Sequence, residues 1–171
     1  MFKKILIVLL VIVGGLAIAV AMQPDETHVQ RSTTVDAPAS VVFDQVNDFH
    51  NWQAWSPWAK MDPDAKNSFE GPESGKDAAF SWSGNHEVGE GKMTIVESKP
   101  SELVRIKLEF TRPMKNTCST LFTFKPEGDK TTVTWDMTGK NDFRSKAVCL
   151  VMNMDKAVGA EFDKGLASMK A

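Results

Sequence analysis

The chain is predicted to be an α+β protein: a strongly curved antiparallel sheet of six to seven strands wrapped around one long C-terminal helix. Two short helices follow the first strand, and a transmembrane helix stands at the N-terminus. Three observations predict this. From Ala78 to Thr138, apolar and polar residues alternate in short segments divided by turn signals, the pattern of an antiparallel meander. From Asp142 to Lys170 the apolar residues recur instead at three- and four-residue steps, which is one face of a helix. Ahead of both, Ile5 to Met22 is apolar without interruption.

That opening run, ILIVLLVIVGGLAIAVAM, has eighteen residues. As a helix it spans roughly 27 Å, close to the hydrocarbon thickness of a bilayer. It lacks the polar stripe that a core helix of a soluble fold carries. Lys3 and Lys4 precede it while Asp25 and Glu26 follow it, so the positive-inside rule keeps the N-terminus in the cytoplasm and sends the rest outward, into the periplasm if the cell is bacterial. Two fates fit. The length favours an uncleaved anchor, whereas Ala17, Ala19 and Ala21 offer small residues at the spacing a signal peptidase reads, which would release a soluble exported domain. The chain thus divides into an anchor or signal segment, residues 1–24, and a folded domain, residues 25–171.

Within that domain, His28 to Asp36 reads as the first strand, with Val29 and Val35 on one face. The period then changes. Pro38 suits the first turn of a helix, Asp36 stands where a carboxylate complements a helix N-terminus, and Ala39, Val42, Phe43 and Val46 recur at helical spacing. Trp52, Trp55 and Trp58 continue into a second helical turn that Pro57 interrupts. The meander begins after the loop EGPESGKD. Phe80 and Trp82 share a face in its first segment, as do Met93 and Ile95 in the next. Val104, Ile106, Leu108 and Phe110 alternate with Arg105, Lys107 and Glu109; Cys118, Thr120, Phe122 and Phe124 line the following run; Val133, Trp135 and Met137 close the series.

Asp142 to Lys170 reads as a single helix whose stripe is Ala147, Leu150, Val151, Met154, Val158, Phe162, Leu166 and Met169. In one continuous helix Cys149 points away from that stripe and cannot reach Cys118 on the sheet, so no disulfide is expected unless the helix breaks near Met152. Gly159 and Gly165, on or beside the stripe, are expected to leave room between helix and sheet.

Composition excludes several function classes. Two of the 20 Lys and Arg lie before Asp25, and all 22 Asp and Glu lie from Asp25 onward, so the domain is four charges acidic and has no basic cluster for nucleic acid. The three histidines, His28, His50 and His86, are not spaced with one another or with a cysteine as a zinc site requires, so no metal and no cofactor is predicted. There is no Gly-x-Ser-x-Gly nucleophile, and Gly89-x-Gly91 is followed by a strand rather than a helix, so it is no phosphate cradle. His86 beside Glu87 in a turn is a poor acid–base pair, because adjacent strand residues point to opposite faces. Two polar positions stand out. Glu161 falls within the apolar stripe by helical angle, as a functional acid or as a carboxylate bent to solvent. Arg31 shares a face with Val29 and Val35, to meet an anionic ligand head or to form an ion pair at the rim.

Taken together, VDAPASVVFDQVNDFHNWQAWSPW, EGP, FSWSG, VTWDMTG and NMDKAVGAEFDKGLASMK resemble the START-like (SRPBCC) superfamily of helix-grip domains, specifically its polyketide cyclase/dehydrase and lipid-transport group, over Val29 to Lys170. The resemblance implies an apolar pocket between the long helix and the sheet, holding a hydrophobic small molecule or lipid. The wall residues expected from inward faces are Phe80, Trp82, Phe110, Phe122, Trp135, Met137, Met154 and Val158. Trp55 and Trp58 are ligand contacts or an aromatic plug, Trp52 is assigned to the plug first, and Glu161 is the one acid in reach. No catalytic residue is assigned. The expected function is a non-catalytic, membrane-tethered carrier domain facing outward. The alternatives are a cyclase or dehydratase using Glu161 or His86, and an interaction domain of a membrane complex with a filled core.

Overall fold

The computed structural model describes residues 2–170. Helix α1, Phe2–Ala21, is almost entirely exposed, with Val20 its one buried residue. The first strand, β1, spans Glu26–Val35. It is followed by α2 (Ala39–Asn47), a 3-10 turn (Phe49–Asn51), α3 (Trp52–Trp55) and α4 (Pro57–Met61). Six more strands follow: β2 (Lys66–Glu70), β3 (Ala79–Ser83), β4 (Glu90–Lys99), β5 (Leu103–Arg112), β6 (Asn116–Glu127) and β7 (Lys130–Lys140). They form one seven-stranded antiparallel sheet in the order β1-β7-β6-β5-β4-β3-β2. The α+β helix-grip architecture stands as predicted.

The strand β2 has no counterpart among the segments read from the sequence. All five of its residues are exposed, so it lies at the sheet edge with no inward face and no apolar alternation to betray it. The other strands align their inward residues in rows across the sheet. Trp135 pairs with Phe122 and Phe122 with Val104; Met137 pairs with Thr120, Thr120 with Ile106, and Ile106 with Ile95.

Helix α2 packs its buried face of Ala39, Val42, Phe43 and Val46 over β5, β6 and β7 and fills the end of the grip near Val35. Pro38 is its N-cap, and Asp36 turns instead to Lys130 at 2.7 Å, which departs from the expected carboxylate at the helix N-terminus. The tryptophans complete the other terminus. The last four carbonyls of a helix have no partner within it, and here each finds one. Asp44 O accepts from Asp48 N at 3.4 Å and from Asn51 Nδ2 at 3.0 Å, Gln45 O from Trp55 Nε1 at 2.9 Å, Val46 O from Trp52 Nε1 at 3.0 Å, and Asn47 O from Gly75 N at 3.0 Å. Two indoles therefore bury their rings in the core while their N–H groups terminate α2.

The C-terminal segment is not one helix. Helix α5, Phe143–Val151, ends at Met152, and α6, Met154–Ser168, begins afresh with Asn153 as N-cap, its side chain accepting from Lys156 N at 2.9 Å. The expected continuous stripe breaks with it: Gly159, Phe162, Gly165 and Leu166 of α6 are buried, but nothing in α5 is, and Leu150 and Val151 face outward. The α6 helix packs on β1, whereas α5 packs on α1.

Gly159 and Gly165 bring surfaces together rather than opening space. A Cβ at Gly159 would overlap the guanidinium of Arg31, and one at Gly165 would lie 3.0 Å from the Trp135 ring and 3.2 Å from Pro57. Arg31 uses that groove to reach α6. Its Nη1 and Nη2 donate to the two carboxylate oxygens of Asp155 at 2.9 and 3.2 Å, and its Nε to Asp163 at 3.4 Å. The Arg31 guanidinium holds the Asp155 carboxyl below the usual carboxylate range. Arg31 is thus a rim ion pair that fastens α6 to β1.

Candidate functional site

Because α2 and the tryptophans fill one end of the grip and α5 lies away from the sheet, the other end stays open. A cavity of about 360 Å3 occupies it, within the usual range of small-molecule sites. Its floor is the inward face of the strand ends near Thr27, Gly139, Cys118 and Phe110; α4, α5 and α6 supply the walls.

Of the residues anticipated from the sequence, Phe80, Trp82, Phe110, Trp135, Met137, Met154 and Val158 line this space, and so does Trp58. Trp52, assigned first to the plug, also presents a surface to it while capping α2. Three others do not reach it. Trp55 and Phe122 are packed behind the wall, with ring centroids 6.2 Å apart, and belong to the core. Glu161 lies outside the lining too: one oxygen accepts from Lys164 at 2.7 Å, and the other is buried with no partner among the described residues. His86 is exposed at the tip of the β3–β4 hairpin.

An aromatic stack braces the inner wall. Trp135 lies parallel to Phe162 of α6 at 3.9 Å and 9°, and Trp52, Trp55 and Trp58 meet its ring edge-on at 6.3, 5.6 and 5.8 Å. Such pairs add to the area they bury. The Trp135 Nε1–H is buried without a hydrogen-bond partner among the described residues. Trp82 differs, donating to Val88 O at 3.0 Å and so tying the hairpin to the cavity wall.

Polar groups gather toward the mouth. Asp62, Glu87, Arg112 and Asn116 lie there, and Arg112 donates to Gly84 O at 3.0 Å and faces Glu90 at 3.6 Å. Deeper in are the Thr120 hydroxyl and the Cys118 thiol, whose pKa burial pushes up, so that it remains protonated. Cys149 lines the cavity as well, with its Sγ 3.9 Å from Thr27 Oγ1. The break at Met152 turns α5 so that Cys149 faces the sheet, against the expectation for a continuous helix; both cysteines are free. Ser145, Val148 and Cys149 were not anticipated at the wall. Asn153 followed by Asp155, an N-cap with an acid in the first turn, is the sequence signal that reveals the break.

A curved sheet gripping a C-terminal helix around an apolar cavity defines a helix-grip protein. Residues 26–171 match the family described as polyketide cyclase / dehydrase and lipid transport, and the chain belongs to that family. A comparison with curated proteins finds no match. Among solved structures the chain is similar to a protein from Nitrosospira multiformis, at 18% identity and a TM-score of 0.61 over 84% of this chain and 94% of that one. It is similar also to a Chromobacterium violaceum protein, at 12% identity and a TM-score of 0.59 over 86% and 95% of the two chains. The Aha1 dimer of Colwellia psychrerythraea aligns at 12% identity and a TM-score of 0.58 over 84% and 93%. At these identities the likeness is one of fold.

Proposed function

We propose that the protein is a membrane-tethered carrier domain that holds a lipid-like or other apolar small molecule in this cavity without transforming it. The observation that carries the reading is the cavity itself: aromatic and methionine side chains dominate its interior, and the charged groups stand at its mouth. Methionines such as Met93, Met137 and Met154 adapt to different shapes, which suits a loosely specific occupant. Membership of a family described by cyclases, dehydrases and lipid transport supports an apolar ligand. A cyclase acting through Glu161 or His86 would need one of them at the wall, and neither is there. Helix α1 is long and apolar enough to cross a membrane, a property a signal sequence shares. We read it as an uncleaved anchor, residues 1–24 preceding the binding domain at 25–171, with the charge pattern directing the domain outward.

The test is native mass spectrometry of the full chain purified from its own membranes, alongside a Val158→Trp variant that fills the cavity from α6. Wild type should carry an apolar adduct and bind N-phenyl-1-naphthylamine. The variant should lose both while melting near the wild-type temperature. A wild-type protein that is recovered empty and does not bind the probe overturns the reading.

A further inference from the structure

The open end of the grip coincides with the root of α1. Asn141, which lines the cavity, donates through Nδ2 to Pro24 O at 3.0 Å and through its backbone N–H to Asp25 O at 2.8 Å. Lys146 of α5 donates to the Asp25 carboxylate at 2.5 Å and to Ala21 O, the last residue of α1, at 3.5 Å. The strand ends Glu26, Lys140, Asn116, Arg112 and Glu90 all lie at this same end, as antiparallel pairing requires. Four of the domain's exposed large apolar residues stand on elements at this end, whereas Val41, Phe69 and Val96 lie elsewhere. Phe143 is 60% and Val151 85% exposed at the two ends of α5, with Met152 beyond them and Met114 at the tip of the β5–β6 turn. Exposed Lys115 and Arg144 sit beside Met114 and Phe143.

We infer that α5 and the β5–β6 tip form a bilayer-docking rim: Phe143, Val151, Met152 and Met114 enter the lipid surface from which α1 emerges, so that the cavity mouth opens onto the membrane and its ligand is loaded directly from lipid. The inference rests on the carrier reading and on α1 as an anchor. Apolar tips flanked by basic residues are what an interfacial helix presents to headgroups. One side of α5, Ser145, Val148 and Cys149, forms cavity wall, another packs on α1, and Phe143 and Val151 stand exposed beside them, so α5 is the partition between lipid and pocket. The short link at Met152 and Asn153 joins it to α6.

The experiment uses the full chain reconstituted in phosphatidylethanolamine–phosphatidylglycerol vesicles. A nitrobenzoxadiazole label is placed at Val151→Cys, in a Cys118→Ser, Cys149→Ser background. A control label at Val41→Cys is exposed on α2 beyond the far end of β1, about 30 Å away along that strand. Brominated lipid should quench the label at position 151 about two-fold and leave that at 41 unchanged. Phe143→Asp and Val151→Asp should slow uptake of a pyrene-labelled fatty acid from vesicles about tenfold, with binding of the same probe delivered from ethanol intact. No quenching at 151 overturns the docking rim, even where a blue-shifted label reports contact with another protein. Equal uptake by the Asp variants overturns loading through it. Quenching of the label at 151, together with a wild-type protein that binds no probe, upholds the docking and strikes only the carrier reading.

Discussion

Arg31, Gly159 and Asp155 are three residues whose roles make sense only together. Arg31 sits at the rim of the inward strand face, and the missing side chain at Gly159 lets its guanidinium reach Asp155. Gly159→Ala should therefore lower the melting temperature despite the higher helix propensity of alanine, by displacing Arg31. The loss should be smaller in an Arg31→Ala background, and a double-mutant cycle measured by thermal unfolding checks this coupling. Cysteine chemistry offers a second residue-level expectation. Half-buried Cys149 should react with a thiol reagent well before Cys118, which is buried and whose thiol is held protonated. An apolar ligand in the cavity should slow Cys149 labelling, read by mass spectrometry. Cys118 was legible as an inward residue from strand alternation. Cys149 was not, because its direction depends on a helix ending three residues later.

Among the elements, α6 is the one whose hold on the sheet is electrostatic at its start and aromatic in its middle. Asn153→Ala removes the N-cap and should cost about 1 kcal/mol in denaturant unfolding. Phe162→Ala deletes a fully buried ring stacked on Trp135 and should cost about 3–5 kcal/mol by the same measurement. Acid should loosen the start of α6. Because Arg31 depresses the folded-state pKa of Asp155, the stability from this pair is complete above the ordinary carboxylate value and is lost as pH falls through the depressed one. Lowering pH from about 6 to about 3 should therefore reduce the melting temperature of wild type more than that of Asp155→Asn. Amphipathic elements such as α2, β5 and β7 were readable from periodicity, since burial selects one face of each. The edge strand β2 was not, because hydrogen bonding to β3 holds it without burying any side chain.

In the whole molecule, the proposed anchoring by α1 sets where the domain works, and it is open to direct test. Full-length protein should resist carbonate extraction from membranes, whereas deletion of residues 2–24 should leave a folded domain in the soluble fraction; fractionation with circular dichroism on the soluble form checks both. Protease added to intact cells with a permeable outer layer should reach the domain if α1 is inserted with its lysine end inside. The deletion also removes Pro24 O and Ala21 O, which accept from Asn141 and Lys146, together with the α1 surface on which α5 packs, so α5 should exchange its amide hydrogens faster than in the full chain, while the meander strands are unchanged.

Patterns with a short repeat were decidable from residue order: the membrane-length apolar run, the meander, the helical stripe of α6 and the crowding of tryptophans before Pro57. Each follows from local geometry, where a period of 2.0 or 3.6 residues sets which side chains share a surface. The folded arrangement was needed to separate wall from filling. Phe122 and Trp135 are neighbours on the same inward face of the sheet, yet Trp135 borders the cavity and Phe122 lies behind it, because α3 covers one and the gap beside α5 uncovers the other. An empty volume arises where three elements fail to meet, and no single stretch of chain encodes that distance.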